Sequence, residues 1–207
     1  MTRTTAATVC PHVTAVILAG GQARRMAGAD KALLALAGRP MLAHVIAALQ
    51  PQVDSILISS NRPAAEYAAF ELPVVPDLTP EQRGPLAGLI SALENSRDEL
   101  VLAVPCDTPC LPPDLVTRMC SALLAGEADV CTVRSAGQLH AAIMLVHRRV
   151  LPSLHRYLDD GGRKVQQWQQ SMALTVVDFD DQPGAFSNIN TPEELHNLER
   201  RLTDHGH

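Results

Sequence analysis

The sequence has few aromatic residues, no excess of positive charge and no long apolar run. Aromatic residues make up 3% of its 207 residues, which argues against a single-stranded nucleic-acid platform, because such surfaces stack bases on rings. The net charge of −5 argues against broad nucleic-acid binding. No segment approaches the roughly 20 apolar residues of a membrane span. We therefore expect neither a nucleic acid nor a membrane as a partner.

The five cysteines are odd in number and show no paired spacing. Cys106 and Cys110 lie close together in the sequence, but no second pair completes a zinc site. We expect no disulfide, which suits a cytoplasmic protein. Residues 1–10 contain one arginine and no long apolar segment, so we expect no signal peptide. Residues 1–12 are predicted to form a disordered tail.

Hydrophobic residues make up 46% of the chain, and with so few aromatics the core must consist of Ala, Leu, Val and Ile. That composition is typical of a parallel sheet flanked by helices. Strands are predicted at 13–18, 53–59, 72–75, 100–104, 129–133, 138–146 and 174–179. Helices are predicted at 39–49, 64–70, 85–94, 112–126, 147–158, 165–172 and from 192. The alternation predicts one three-layer α/β domain over residues 13–203, with a mainly parallel, Rossmann-like sheet and one antiparallel strand. The most continuous apolar run, 100–104, is predicted to be the central strand.

Gly20 and Gly21 follow the first predicted strand directly, and Arg25 and Lys31 supply cations soon after. An α/β protein typically holds a phosphate chain at the carboxyl end of a strand, with a glycine turn and cationic side chains directly after it. The spacing fits neither the P-loop nor the dinucleotide fingerprint. Taken alone, the stretch is explained equally well by a turn followed by a solvated face.

Polar residues also follow the other strands. Ser59 and Asn61 close the second strand, where turn capping is the alternative to ligand binding. Asp107 follows the central strand, a suitable place for a Mg²⁺ ligand, although such residues more often cap turns. Asn188 and Asn190 precede a strong helix start and would point the same way from an extended segment.

The segment from Gly84 to Gly88 predicts a loop that enters a helix at Pro85. Gly88 lies inside that helix, where glycine costs up to about 1 kcal/mol relative to alanine. Something must therefore approach closely at Gly88. Packing against a neighbour is the commoner reason, and a ligand is the alternative.

Four segments resemble, in the same order, the motifs of the molybdenum cofactor guanylyltransferase family. They are Leu18-Ala19-Gly20-Gly21 with Arg25-Met26, Asp30-Lys31 and Gly38-x-Pro40; Asp77 with Gly84-Pro85-Leu86-Ala87-Gly88; Pro105-Cys106-Asp107-Thr108-Pro109; and Asn188-x-Asn190-Thr191-Pro192. The chain departs from the family at Ala27, usually a glycine, and at Ser59, usually an asparagine. The likeness covers residues 13–200, nearly the whole chain.

The resemblance implies transfer of GMP from GTP to the phosphate of Mo-molybdopterin, with Mg²⁺ as cofactor. It implies Arg25, Lys31 and Asp107 as catalytic residues and Asp107 as the metal ligand. It implies GTP binding by Leu18, Ala19, Gly20, Gly21, Lys31, Ser59, Asn61, Asp77, Gly84, Pro85, Leu86 and Asp107. It assigns the pterin to Asn188 and Asn190, so we expect residues 13–110 to form a GTP and Mg²⁺ half and residues 111–203 a pterin half.

The resemblance also implies transient contacts with other proteins of the cofactor pathway and with acceptor enzymes. Three alternatives stay open at the level of the sequence. One is a sister enzyme on the same fold, either a cytidylyltransferase for molybdopterin or a transferase for a sugar or isoprenoid phosphate. Another is a non-catalytic nucleotide-binding regulatory subunit. The last is a protein-interaction module, for which no exposed apolar stripe is evident.

Overall fold

The computed structural model describes residues 10–20, 30–77 and 84–204. Its strands are β1 Val13–Leu18, β2 Ala35–Leu36, β3 Arg39–Pro40, β4 Ser55–Ser59, β5 Val74–Val75, β6 Leu100–Pro105, β7 Val130–Ser135, β8 Gln138–His147 and β9 Leu174–Asp178. Its α-helices are α1 Met41–Leu49, α2 Pro85–Asn95, α3 Leu115–Ala125, α4 Leu151–Asp159, α5 Val165–Gln170 and α6 Pro192–Asp204. Short 3₁₀ turns occupy Lys31–Leu33, Ala64–Phe70 and Arg148–Val150.

Seven strands form one sheet in the order β5-β4-β1-β6-β8-β7-β9, so β6 is the central strand, as predicted. β1 pairs in parallel with both β4 and β6. Among the described strands of this sheet, β8 alone is antiparallel to its neighbours β6 and β7, whereas β9 runs parallel to β7. The predicted mainly parallel sheet with one antiparallel strand is confirmed.

The two faces of the sheet bury two separate sets of apolar side chains. Ala15 and Ile17 of β1 pack in a cluster with α1 and α3, and the intervening Val16 packs in the other cluster with α2, α4 and α5. This alternation follows from the two-residue period of a strand, which sends successive side chains to opposite faces. Because both faces are covered, the fold is the three-layer α/β arrangement that the composition predicts.

The predicted helix at 39–49 begins two residues too early. Arg39–Pro40 pairs with Ala35–Leu36 in a small antiparallel ladder, so these two residues are extended and α1 starts at Met41. The turn between the two strands places Ala37 and Gly38 at positive φ, +49° and +78°. Strands of two residues show no periodicity, so sequence patterning does not reveal them.

The predicted helix at 147–158 also begins later than expected. His147 still pairs with Leu100, which extends β8, and the 3₁₀ turn Arg148–Val150 separates the strand from α4. The short helix predicted at 64–70 is a 3₁₀ helix.

Cys10 and Cys120 form a disulfide that joins the segment before β1 to α3, with Cα atoms 5.9 Å apart. The expectation of no disulfide is therefore wrong. The pairing spans 110 residues of sequence, and no local spacing reveals it. Cys106, Cys110 and Cys131 are free.

The predicted start of the last helix is confirmed in detail. Glu194 N donates to Thr191 Oγ1 at 3.2 Å, and the Glu194 carboxylate accepts from the backbone N–H of Thr191 at 2.9 Å. These two bonds are a capping box. Within the described parts of the chain, no helix is long and apolar enough to cross a membrane.

Candidate active site

A cleft of about 280 Å³ opens where β1, β4 and β6 end. The carboxyl ends of parallel strands lie at one edge of a sheet, and ligands of open α/β sheets bind there. The residues that line the cleft are Leu18, Gly20, Lys31, Ser59, Asp77, Gly84, Pro85, Pro105, Cys106, Asp107, Ala142 and Asn188. Of these twelve, only Pro105, Cys106 and Ala142 are absent from the residues predicted to bind substrate.

Lys31 connects its own motif to two others that are far away in the sequence. Its Nζ donates to Asp107 Oδ2 at 3.0 Å and to Asn190 Oδ1 at 2.5 Å. The side chains of Lys31 and Asp107 are 17% and 14% exposed, so the ion pair is largely shielded from water but open to the cleft. Charges in such a site act more strongly on a ligand than charges on the open surface.

Asp30 holds the turn that carries Lys31. One of its oxygens accepts from Ala32 N at 3.0 Å, and the other accepts from the hydroxyl of Tyr67 at 2.6 Å. Tyr67 is fully buried, and Ser60, directly after β4, contacts its hydroxyl at 3.0 Å. Burial and the neighbouring Asp30 carboxylate raise the pKa of Tyr67, so its proton stays on the hydroxyl. Sequence reasoning did not identify Tyr67, since no local pattern marks it.

The segment before α6 is fastened to the end of β6. Thr108 Oγ1 donates to Asn188 Oδ1 at 2.9 Å, and Ile189 N donates to the carbonyl of Asp107 at 2.9 Å. Together with the bond from Lys31 to Asn190, these contacts bring both predicted asparagines to the cleft region. Asn188 lines the cleft itself. Thr108 belongs to the motif Pro105-Cys106-Asp107-Thr108-Pro109, and the sequence alone indicates no role for its side chain.

The other side of the cleft is built by close packing at Gly88. A Cβ on Gly88 would lie 2.5 Å from Ser59 Oγ and 2.6 Å from Leu18 Cδ2. The close approach predicted at this glycine is therefore to two side chains that themselves line the cleft. Gly84, the residue before α2, has φ +111°, a conformation that favours glycine.

Asn61 is bonded to Asp77, which lines the cleft. Its Nδ2 donates to Asp77 Oδ2 at 2.8 Å, and its Oδ1 accepts from Asp77 N at 2.9 Å. Asp77 lines the cleft, whereas Asn61 does not. These two hydrogen bonds hold both the backbone and the carboxylate of Asp77 in place against Asn61.

Two other predicted residues lie just behind the cleft surface. Ala19 is buried and donates its N–H to the carbonyl of Ser59 at 2.8 Å. Leu86 is 2% exposed, and its side chain packs in the core beneath α2 instead of the cleft. The predicted residues Gly21 and Arg25 lie outside the described parts of the chain.

Cys106 faces the cleft but is not suited to act as a nucleophile. Burial raises the pKa of its thiol, with the Asp107 carboxylate adding to the effect, so the unreactive thiol form is favoured. The environment of Cys106 therefore favours a packing role for its side chain.

His140 and Arg163 make contacts within the fold. Burial lowers the pKa of His140, whose ring lies 5.4 Å from that of Phe186. Arg163 donates to the carbonyl of Leu158 at 2.8 Å and to that of Gly162 at 2.6 Å. Neither residue lines the cleft.

Asp107 has the right chemistry for a divalent cation. Mg²⁺ commonly takes one or two carboxylates and completes its coordination with substrate phosphates and water. Within the described residues no group of three or more His, Cys, Asp or Glu side chains could hold a metal ion. The Asp107 carboxylate, beside Lys31 in the cleft, therefore fits a metal that arrives with a phosphorylated substrate.

The fold is shared with a solved structure of known family. The crystal structure of molybdopterin-guanine dinucleotide biosynthesis protein A from Archaeoglobus fulgidus matches with a TM-score of 0.78 and 20% identity, over 92% of this chain and 99% of that chain. At this identity the likeness shows the fold alone. It defines the protein as having a nucleotidyltransferase-type α/β fold.

The sequence comparisons identify the family. Residues 15–173 match the model of the MobA-like NTP transferase domain. The molybdenum cofactor guanylyltransferase of Shewanella amazonensis is 45% identical over 93% of this chain and 98% of its own length, and that of Shewanella halifaxensis is 44% identical over 90% and 94%. The chain belongs to the MobA-like NTP transferase family and, within it, to the molybdenum cofactor guanylyltransferases.

Proposed function

We propose that this enzyme transfers GMP from GTP to the phosphate of Mo-molybdopterin and releases pyrophosphate, which yields the guanine dinucleotide form of the cofactor. The observation that carries the proposal is the pair of Lys31 and Asp107, held 3.0 Å apart in a cleft at the carboxyl ends of β1, β4 and β6. Family membership supplies the substrates, since the relatives are named as molybdenum cofactor guanylyltransferases.

The nucleotide lies on the β1 and β4 side of the cleft. Gly20 leaves open space where a side chain would stand, so a phosphate can approach the backbone after β1. The N-terminal end of α2, at Gly84 and Pro85, lines the same side and favours negative charge. Ser59 and Asp77 complete this wall and are the polar groups available to the ribose and base.

The reaction needs alignment and charge neutralisation more than a protein acid or base. An oxygen of the acceptor phosphate forms a bond to the α-phosphorus of GTP, and the bond to the pyrophosphate oxygen breaks. Lys31 binds the reacting phosphates at the point where the two substrates meet. Arg25 and the backbone of Gly20 and Gly21 are assigned to the leaving pyrophosphate from the family motif.

Asp107 is the residue that would hold Mg²⁺. When bound, this cation supplies charge neutralisation at the reacting phosphates. The pairing with Lys31 keeps the Asp107 carboxylate oriented towards the cleft before substrate binds. In the described residues, no hydrogen bond reaches the other carboxylate oxygen, Oδ1.

We assign the acceptor to the β8 side of the cleft, where Ala142 lies, and, from the family motif, to Asn188 and Asn190. In the order β4-β1-β6-β8, β6 lies between β8 and the strands assigned to the nucleotide, and Asp107, which pairs with Lys31, follows the end of β6. We propose the same division of the domain, with residues 13–110 for GTP and residues 111–203 for the pterin. Transient contacts with proteins that supply the pterin or receive the product are proposed from the family alone.

The test is pyrophosphate release by the purified protein with Mg²⁺ and molybdate-loaded molybdopterin, with GTP or CTP as the nucleotide. Release with GTP alone supports the proposal. Release with CTP alone would identify a cytidylyltransferase on the same fold. No release with either nucleotide would favour another acceptor, such as a sugar phosphate, or a non-catalytic role.

A further inference from the structure

A bulge interrupts β8 beside the cleft. Thr132 of β7 pairs with Met144, but the next residue, Val133, pairs with His140. Residues 141–143 of β8 therefore have no partner in β7, and we call them the β8 bulge. Bulges re-aim side chains next to active sites and are built features of a sheet.

The β8 bulge forms part of the cleft wall. On the other edge of β8, the ladder with β6 ends at the pair of Ala103 and Met144. If this antiparallel register continued, residue 142 would lie level with Pro105, and both residues line the cleft. The bulge therefore presents Ala142 at the end of the central strand, on the side away from β1 and β4.

Two buried polar side chains hold the β8 bulge from different elements. Gln169 of α5 is fully buried, and its Nε2 donates to the carbonyl of Ala141 at 2.9 Å. Thr132 of β7 is also fully buried, and its Oγ1 lies 2.9 Å from the carbonyl of Ile143. These bonds replace ladder bonds that the bulge has lost, and they tie its backbone to one position.

The amide at position 169 carries a cost that packing alone does not explain. Its Oε1 is buried without a hydrogen-bond partner among the described residues. An unsatisfied buried polar atom is unfavourable, and an apolar side chain of the same length would avoid that loss. The Sδ atom of Met144 lies 3.6 Å from Gln169 Nε2, so an apolar side chain at this position would contact an apolar neighbour.

We infer that Gln169 is a positioning residue for the acceptor: by holding the carbonyl of Ala141 it fixes the β8 bulge, and the bulge shapes the wall against which the acceptor lies. The inference rests on the proposed function, because the acceptor side is defined by it. Gln169 itself does not line the cleft.

The test compares Gln169→Met with Gln170→Met, a control at the exposed neighbouring position of the same helix. We expect Gln169→Met to raise the KM for molybdopterin by about tenfold, the equivalent of one lost hydrogen bond, while the KM for GTP stays within about twofold. Gln170→Met should leave both values unchanged. An equal rise of both KM values, or a change in neither, would overturn the inference.

A second measurement does not depend on turnover. Hydrogen exchange in residues 141–143 should become faster in Gln169→Met than in the wild type, with no change in Gln170→Met. Unchanged exchange would overturn the inference even if the enzyme is active. If the wild-type protein transfers no nucleotide, the proposed function fails, and the acceptor role of Gln169 fails with it, whatever the exchange shows.

Thr132→Val provides the same test if Gln169→Met does not fold. It removes the hydroxyl that reaches the carbonyl of Ile143 and keeps the shape of a β-branched residue. We expect a similar selective rise in the KM for molybdopterin. A variant that folds and keeps the wild-type KM would contradict a role of the β8 bulge in acceptor binding.

Discussion

At the scale of single residues, the cleft depends on contacts between segments far apart in the sequence. Lys31 meets Asp107 and Asn190, and Asp30 beside it is held by Tyr67. Each of these polar groups satisfies another, so the site is organised before any ligand binds. Organised groups of this kind stabilise a transition state without first having to rearrange.

Replacement of Lys31 by methionine should remove the charge at the centre of the cleft and keep most of its volume. We expect kcat/KM for GTP to fall by about 10²–10³-fold, a loss typical of one stabilising donor, with a melting temperature close to that of the wild type. Arg156→Met, an exposed cation of α4, is the control and should be fully active. Wild-type kinetics for Lys31→Met would place the phosphates elsewhere.

For replacement of Gly88 by alanine, helix propensity and the packing of neighbouring side chains predict opposite changes in stability. Helix propensity alone predicts stabilisation of up to about 1 kcal/mol. The new Cβ would lie only 2.5 Å from Ser59 Oγ, so overpacking should destabilise the protein by about 1–3 kcal/mol and weaken GTP binding. Denaturant unfolding decides between them, and a more stable variant would show that α2 and β4 are not packed this tightly.

At the scale of elements, the segment before α6 links the fold to the cleft. Glu194 accepts hydrogen bonds from the backbone N–H groups of Asn190 and Thr191, at 2.6 and 2.9 Å. Asn190 in turn accepts from Lys31. The cap of the last helix and the catalytic lysine therefore share one short stretch of backbone.

The capping box should make stability depend on pH in acid. The hydrogen bond from Asn190 N lowers the pKa of Glu194 below its ordinary 4.5, and the smaller effect of the bonds from Thr191 acts in the same direction. A carboxylate with a lowered pKa in the folded state stabilises it fully above the unfolded value, and the contribution is lost as the pH falls through the folded value.

We therefore expect the stability difference between the wild type and Glu194→Gln to be constant near neutrality and to shrink as the pH falls below about 4.5. Thermal melts of the two proteins across this pH range measure it. Glu193→Gln, in the same first turn but outside the capping box, is the control. A difference that does not change with pH would mean that the Glu194 carboxylate does not cap α6.

At the scale of the whole molecule, sequence patterning predicted the layers well and the irregularities poorly. The apolar run 100–104 identified the central strand, because a strand buried on both faces has no polar alternation. The ladder of Ala35–Leu36 with Arg39–Pro40, the β8 bulge and the Cys10–Cys120 disulfide were not predicted. Each depends on a turn or on a non-local contact that leaves no period in the sequence.

The candidate site shows the same division. Strand-end residues such as Gly20 and Ser59 were predictable, since the carboxyl ends of parallel strands converge. The supporting residues Tyr67 and Gln169 were not predictable. Each is buried and acts on the site through a hydrogen bond to a residue far away in the sequence, Asp30 for Tyr67 and Ala141 for Gln169. Leu86 follows Pro85 in the motif, but the helix turns its side chain into the core, an orientation that the motif alone does not reveal.

The disulfide between Cys10 and Cys120 closes a loop that spans 110 residues of sequence. With Cys10 and Cys120 paired, denatured protein without reductant should titrate three thiols, and reduced protein should titrate all five. Reduction should lower the free energy of unfolding by about 2–4 kcal/mol, because the cross-link restricts the unfolded chain. Five thiols without reductant would show that the bond does not form.

In the proposed reaction, the acceptor phosphate attacks the α-phosphorus of GTP in this cleft. The most direct measurement follows radiolabelled phosphorus from GTP labelled at either the α- or the γ-position, with Mg²⁺ and molybdate-loaded molybdopterin. We predict that the α-label enters the pterin product and the γ-label leaves as pyrophosphate, and that Asp107→Asn loses most of this transfer. Transfer of the γ-label to the pterin, or full transfer by Asp107→Asn, would contradict the assignment.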